Sequence, residues 1–414
     1  MEQICEISNL NRAYRKVKAN KGAAGVDRIT VDEVRDYFRQ NQEAIISSLL
    51  AGSYKPNLVL GVRLAKPGGG YRQLGIPTTL DRIIEQAILQ VLEPIYDPDF
   101  SESSYGFRPG RSAHQALKQA EKYVAEGYDY VVDLDLAQFF DRVNHDLLMS
   151  YLAQDIEDKR LLRIIRRYLE AGMLQNGGKV ARIEGVPQGG PLSPLLSNII
   201  LDRLDKELEC RGHKFCRYAD DCNIYVRSQV AGERVMASVK QFIEKRLHLK
   251  VNEAKSAVAR VWERKFLGYS FRYDGRLKVA EVSLAKFKDR IRELTKRNRG
   301  RKLEQVIKET NIYLNGWISY FRHAANMSMF KELDSWIRRK LRCYRLRQCK
   351  RGKGMITYLM SLGASKQQAG RHSYSSKSWW RLSQTPVVNF VMSNKWFEEL
   401  KLVNLERKVL GFNH

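Results

Sequence analysis

The sequence predicts an α+β fold. Up to about Arg276, short β-branched or apolar runs alternate with amphipathic helical stretches; beyond it the chain reads as long helices. Three observations carry this reading. Tyr130 to Leu136 is a compact apolar run ending in acids, Phe215 to Val226 has the form of a strand, an Ala219-Asp220-Asp221 turn and a second strand, and Ser283 to Asn298, Leu303 to Arg322 and Phe330 to Lys350 repeat apolar residues at helical spacing. A chain of 414 residues exceeds the usual size of one core, so two or three compact units are expected.

From the start, Leu10, Ala13, Tyr14 and Val17 recur at helical spacing, and the Gly22 to Gly25 stretch interrupts them. Val59 to Leu64 and Gln73 to Ile76 read as two short strands joined by Lys66-Pro67-Gly68-Gly69-Gly70-Tyr71-Arg72, a glycine-rich turn with a cation at each end. Leu80 to Leu92 and Ala113 to Tyr123 are helices, separated by the basic loop Tyr105 to Arg111. Gly185-Val186-Pro187-Gln188-Gly189-Gly190-Pro191 is a tight loop leading into a helix with Leu195, Leu196, Ile199, Leu204 and Leu208 on one side. A glycine-containing stretch, Arg351 to Gly354, sets off a last unit of small size.

Composition narrows the function. A hydrophobic fraction of 43% with 10% aromatic residues is that of a globular protein, and no segment is long and apolar enough to span a bilayer. The net charge of +26 and a pI near 9.8 call for a polyanionic partner, nucleic acid first. Between Arg276 and Lys353 there are 23 Lys or Arg against 7 Asp or Glu, a net +16, which marks a dedicated nucleic-acid-binding helical unit. Six cysteines without paired spacing suggest neither a zinc module nor disulfides, and the first ten residues lack an export signal, so a cytoplasmic protein with reduced thiols is expected.

The chemistry lies in carboxylates. Asp135 at a strand end and Asp220-Asp221 in a hairpin turn are about 85 residues apart, yet adjacent antiparallel strands would bring them together. Clustered carboxylates repel unless cations neutralise them, and oxygen ligands favour Mg²⁺. Two such ions suit nucleotidyl transfer. An Asp-Asp pair by itself more often caps a surface turn, but Phe215, Tyr218, Ile224, Tyr225 and Val226 would bury the arms of this hairpin and hold its tip rigid.

Tyr218-Ala219-Asp220-Asp221 resembles the Y-x-D-D box of reverse transcriptases. Lys66 to Arg72, Ser104 to Gly110, Asp133 to Asp141, Pro187 to Pro194 and Phe266-Leu267-Gly268-Tyr269 resemble, in order, the blocks of the group II intron reverse transcriptase/maturase family. Gly316-Trp317-Ile318-Ser319-Tyr320-Phe321 resembles its thumb, so the resemblance covers nearly the whole chain. It implies a right-hand polymerase with fingers, a palm built on an antiparallel sheet and an α-helical thumb, plus a small C-terminal DNA-binding unit. The boundaries it suggests are fingers and palm at 1–275 (with an extension at 1–60), thumb at 276–354 and DNA-binding unit at 355–414. The implied activity is RNA-directed DNA polymerase, with help to intron splicing and mobility.

Residue by residue, the resemblance implies metal ligation by Asp135, Asp220 and the backbone of Leu136, assisted by Asp221, with two Mg²⁺ ions that Mn²⁺ can replace. Lys66 and Arg72 would hold the incoming triphosphate, as a mobile point charge and a phosphate-matching fork. Phe140 would exclude a ribose 2′-hydroxyl and so select dNTPs, its neighbour Phe139 facing the core; Gln188 and Gly189 would approach the nascent base pair. Lys255 matches a general acid for departing pyrophosphate. Phe266, Leu267 and Gly268 resemble the primer grip, Arg108 and Arg111 are candidates for the template backbone, and Arg338, Arg339 and Lys340 for nucleic acid at the thumb. Trp379, Trp380 and Arg381 suit either stacking on nucleic acid or the core of the last unit.

Expected partners are group II intron RNA, an RNA template with a DNA primer, target DNA and dNTPs, with no membrane and with either a monomer or a dimer compatible. An H-N-H endonuclease module with paired cysteines is not found before His414, which resembles the shorter, class C type. A splicing cofactor without polymerase use is disfavoured by the intact acidic and basic residues, whereas a host-adopted reverse transcriptase would retain the same chemistry.

Overall fold

The fold is α+β, as the sequence predicts. The computed structural model describes residues 1–65, 69–374 and 378–412, apart from the side chains of Arg72, His372 and Phe412. It divides into two compact units, Met1–Arg264 and Lys265–His414.

The first unit is organised by an antiparallel sheet of order β6-β7-β3-β8, made of β3 (Tyr130–Leu134), β6 (Lys214–Tyr218), β7 (Asp221–Val226) and β8 (Ala257–Arg260). Val132, Leu134, Cys222 and Ile224 are no more than 2% exposed. Burying each such Val, Leu or Ile contributes about 1.5–3 kcal/mol relative to leaving it in water. The sheet has no solvent-facing alternation along β7, because the helices Ala113–Ala125, Ser193–Cys210 and Gln229–Arg246 pack against it. Gly232 allows the last of these to come close: a Cβ there would strike the Val258 side chain. Helix starts are set by side-chain caps, with Thr78, Ser112, Asn144, Asp158 and Ser228 each accepting an otherwise unpaired backbone N–H.

A second sheet, of order β2-β1-β4-β5, contains β1 (Val59–Ala65), β2 (Tyr71–Ile76), β4 (Met173–Gln175) and β5 (Gly178–Val180). β1 and β2 form the basic hairpin expected from the sequence, in a register running from Leu60 opposite Ile76 to Ala65 opposite Tyr71. The parallel pairing of β1 with β4 joins that hairpin to a segment more than a hundred residues later.

In the second unit, β9 (Lys265–Phe266), β10 (Tyr269–Phe271) and β11 (Leu277–Val279) form a small antiparallel sheet ahead of the helices Glu281–Leu294, Leu303–Phe321 and Met327–Gln348. These helices meet through rings, with Phe287 and Trp317 centroids 4.3 Å apart and Trp317 and Phe330 6.2 Å apart. Beyond them a separate small core gathers Met355, Leu359, Ala369, Leu382, Val388 and Met392, with Trp379 and Trp396 at its margin.

Candidate active site

The antiparallel register pairs Leu134 with Cys222. The residue after Leu134 and the residue before Cys222 are Asp135 and Asp221, so both carboxylates stand at one end of the β6-β7-β3-β8 sheet. Tyr218 pairs with Asp221 across the hairpin, leaving Ala219 and Asp220 as its two-residue turn, and Ala219 takes a left-handed φ of +57°. Sequence separation is overcome here by strand pairing alone.

Asp135 is anchored by the chain that follows the Gln229–Arg246 helix. Its amide donates to Ser256 Oγ at 3.0 Å and its carbonyl accepts from the Asn252 amide at 2.8 Å. Leu136, 5% exposed, forms a bridge with Val251, and the Ala137 amide donates to the Lys250 carbonyl at 2.8 Å. The same segment carries Lys255, whose Nζ lies 2.9 Å from Asp135 Oδ2. The hydrogen bond to Asp135, then the charges of Asp135, Asp221 and Asp220, hold the Lys255 ammonium above the ordinary lysine range. Lys255 therefore stands in the field of all three carboxylates. A brace that the sequence does not announce steadies it: Arg264 donates to Asp133 Oδ2 at 2.6 and 2.8 Å and to the Lys255 carbonyl at 2.6 Å.

Among the described residues, no three His, Cys, Asp or Glu side chains are gathered closely enough to hold a metal ion. The donor set at the sheet end is nonetheless all oxygen, two carboxylates in register, a third in the adjoining turn and the backbone of Leu136, which is the chemistry that suits Mg²⁺. Lys255 supplies the countercharge in this structure.

A cavity of about 550 Å³ is lined, among others, by Lys16, Asn20, Phe107, Phe140, Gln188 and Gly189; Phe107 follows Gly106, which lies against the Ala219 turn. Gln138 adopts φ +53° before a single helical turn, Phe139–Arg142, which turns Phe139 into the core at 2% exposure and leaves Phe140 half-buried on the cavity side. The two rings meet edge to face at 5.2 Å. The Phe140 carbonyl accepts from the Val186 amide at 2.6 Å, and the Gln188 carbonyl from the Gly75 amide at 2.9 Å, so the Gln188 loop is fastened to both the Phe140 turn and β2. Gly189, at φ +141°, has no space for a side chain: a Cβ would fall on the Gly75 carbonyl oxygen. Beneath this loop Glu85 is enclosed, and burial pushes its carboxyl up to about 8. Arg82 and Gln86 also line this cavity, and their Nε and Nε2 atoms are buried donors without a protein partner.

The remaining candidates divide. Lys66 and the Arg72 side chain lie outside the described residues; the Arg72 backbone stands in β2 opposite Leu64. Arg108 corrects an expectation. At 8% exposure its guanidinium is engaged inside the protein, with Asp97 Oδ1 at 2.7 Å and with the carbonyls of Asp97, Ser101 and Ser104, so it braces its loop instead of facing a template. Arg111 pairs with Glu102 at 2.5 Å and lies over the Tyr105 ring, leaving it at the surface. In the second unit, Phe266 is buried while Leu267 and Gly268 form a turn with positive φ, locked by Ser283 Oγ on the Gly268 carbonyl at 2.9 Å and by Tyr320 Oη on the Leu267 carbonyl at 2.7 Å. Arg339 stacks 3.7 Å above the Trp380 ring and donates to its carbonyl, whereas Lys340 sits between the Trp336 and Trp380 rings at 5.5 and 5.0 Å.

Residues 64–271, just over half the chain, match the family model described as reverse transcriptase (RNA-dependent DNA polymerase). The chain belongs to the reverse transcriptase family. Residues 284–361 of this reverse transcriptase match the group II intron, maturase-specific domain. Its enzyme class is thus RNA-directed DNA polymerase, whose members generally use divalent metal ions. The reverse transcriptase is 32% identical over 292 residues to Protein YkfC of Escherichia coli (strain K12), covering 61% of this chain and 77% of that protein. It is 39% identical over 196 residues to the group II intron-encoded protein LtrA of Lactococcus lactis subsp. cremoris, covering 47% of this chain but only 32% of LtrA. Among solved structures it aligns with a partial Cas6-RT-Cas1–Cas2 complex at 28% identity and a TM-score of 0.38, over 58% of this chain and 42% of the other. No helix among the described residues is long and apolar enough to cross a membrane.

Proposed function

We propose that this reverse transcriptase copies group II intron RNA into DNA and assists the splicing and mobility of that intron. The observation that carries the reading is the convergence of Asp135, Asp221 and Lys255 at one end of the palm sheet, beside a cavity walled by Phe140 and Gln188. Two Mg²⁺ ions held by Asp135, Asp220, Asp221 and the Leu136 carbonyl would supply activation of the primer 3′-hydroxyl and charge neutralisation of the leaving pyrophosphate. Phe140 closes the sugar side of the cavity, Gln188 and Gly189 form its floor, and Lys66 and Arg72 are assigned to the triphosphate. Lys255, already beside Asp135, donates the proton to pyrophosphate; Lys255→Ala is expected to lower single-turnover extension by roughly 10²-fold, within the usual contribution of general acids. An unchanged rate would remove it from the mechanism.

Residues 1–275 act as fingers and palm, 276–354 as thumb and 355–414 as a DNA-binding unit. The partners are intron RNA, template RNA with a DNA primer, dNTPs and target DNA. Arg338 and Lys340 are the thumb cations assigned to phosphates, Arg339 being shared with Trp380. Replacing both by glutamine is expected to flatten log K against log salt by about 0.7–0.9 for each phosphate that is no longer neutralised. An unchanged slope would place nucleic acid elsewhere. The reading as a whole is tested by extending a DNA primer on an RNA template with Mg²⁺, alongside splicing of a group II intron RNA with and without the protein. DNA synthesis together with accelerated splicing is the expected result, and a folded protein that does neither overturns it.

A further inference from the structure

The turn that carries Asp220 and Asp221 is held from the protein interior by a side chain with no exposed surface. Arg217, on β6, and Asp205, on the Ser193–Cys210 helix, are both 0% exposed. A guanidinium offers five N–H donors in a planar fork, and here all of them are engaged. Nε donates to Asp205 Oδ1 at 2.7 Å, and Nη2 to Asp205 Oδ2 at 2.6 Å and to Ser104 Oγ at 2.7 Å. Nη1 donates to Asn198 Oδ1 at 3.1 Å and to the carbonyl of Ala219 at 2.9 Å.

That last bond reaches the residue of the turn with left-handed φ, a conformation L side chains rarely adopt and keep only when their surroundings enforce it. Enforcement also comes from the other side. Gly106 lies against the turn so closely that a Cβ would fall on the Ala219 amide nitrogen, and its carbonyl accepts from Asn198 Nδ2 at 3.0 Å. The Arg217 backbone is itself bonded to Ser103 and Tyr105, at 2.8 and 2.9 Å, on the same loop. A core that needed only filling is served as well by apolar residues, since a buried ion pair adds little stability for its desolvation. What an apolar residue cannot do is grip the Ala219 carbonyl, and a lysine cannot span Asp205, Asn198 and Ala219 from one nitrogen.

We propose that Arg217 is a positioning residue for nucleotidyl transfer: through the Ala219 carbonyl it fixes the left-handed turn, and with it the Asp220 and Asp221 carboxylates relative to Asp135. The inference rests on the reading of these three residues as the metal-binding set. Arg217 touches no substrate; it acts through the backbone.

The test uses the full chain carrying Arg217→Lys, and Asn198→Ala as a second variant that loosens the same clamp without leaving a buried charge unpaired, with Asp220→Asn alongside. Four properties are measured: thermal unfolding, hydrogen exchange of the 214–226 peptide, Mn²⁺ affinity by electron paramagnetic resonance, and kcat and KM in primer extension. The expected result is a cooperatively folded protein whose turn amides lose about tenfold or more protection. Mn²⁺ binding should weaken severalfold and kcat fall about 10- to 100-fold, the range typical of residues that orient metal ligands, with KM for the RNA template unchanged. If the Arg217→Lys protein does not fold, Asn198→Ala is judged on the same measurements. Folded variants with normal turn protection and normal Mn²⁺ affinity would overturn the proposal and leave Arg217 as a core ion pair. Activity lost only in proportion to folded protein would do the same. Asp220→Asn protein that synthesises DNA and binds Mn²⁺ normally would instead strike the metal-site reading itself, a result distinguishable from the failure of the clamp alone.

Discussion

Asp220→Asn protein is expected to extend primers at least about 10³-fold more slowly than the native chain, equivalent to about 4 kcal/mol in the barrier. Asparagine has almost the shape of aspartate, so the two-residue turn and its left-handed Ala219 have no reason to rearrange. What changes is charge. The assigned set loses one of its three carboxylates while Lys255 remains, so the local field turns toward positive where divalent cations must bind. Binding of the RNA template, carried by basic surfaces, should be within about twofold of normal. The comparison is a single-turnover extension assay paired with filter binding at fixed salt; retention of the native rate would sink the carboxylate assignment.

The second large effect is expected at the sugar side of the cavity. Phe140→Ala removes a half-buried ring that rests edge to face on the enclosed Phe139. Discrimination between dNTPs and rNTPs should fall on the order of 10²-fold, about 3 kcal/mol in relative transition-state binding. The dNTP rate itself should change much less, because the Phe140 backbone, and not its ring, holds the Val186 amide. Competition between the two nucleotide types for one primer gives the ratio directly. Unaltered discrimination would mean that another group meets the 2′-position.

Much of the fold is legible in the sequence because its signals are local. The apolar arms around Ala219-Asp220-Asp221 specify a hairpin, the run ending at Asp135 specifies a strand, and the helical repeats past Arg276 specify helices. The order β6-β7-β3-β8 and the pairing of β1 with β4 are not local, and nothing in the short run Met173–Gln175 announces its partner. Arginines mark where local signals end. Of those at 108, 217 and 342, only Arg108 drew a reading from the sequence, as a candidate for the template backbone. The structure turns each inward, Arg108 to Asp97, Arg217 to Asp205 and Arg342 to the Met392 carbonyl. The partners are as few as two residues away for some bonds and fifty or more for others, so spacing carries no signal. The brace from Arg264 to the Lys255 carbonyl is hidden from the sequence for the same reason.

The bond between the Gly75 amide and the Gln188 carbonyl, with Gly189 pressed against the same strand, ties together two parts of the chain more than a hundred residues apart. The base of the β1–β2 hairpin and the Gln188 loop are joined there, since separating them would break the bond made by the buried Gly75 amide. Because the Phe140 carbonyl holds the Val186 amide two residues before Gln188, the proposed sugar gate and the loop that would meet the base are fastened to one another and, through Gly75, to β2.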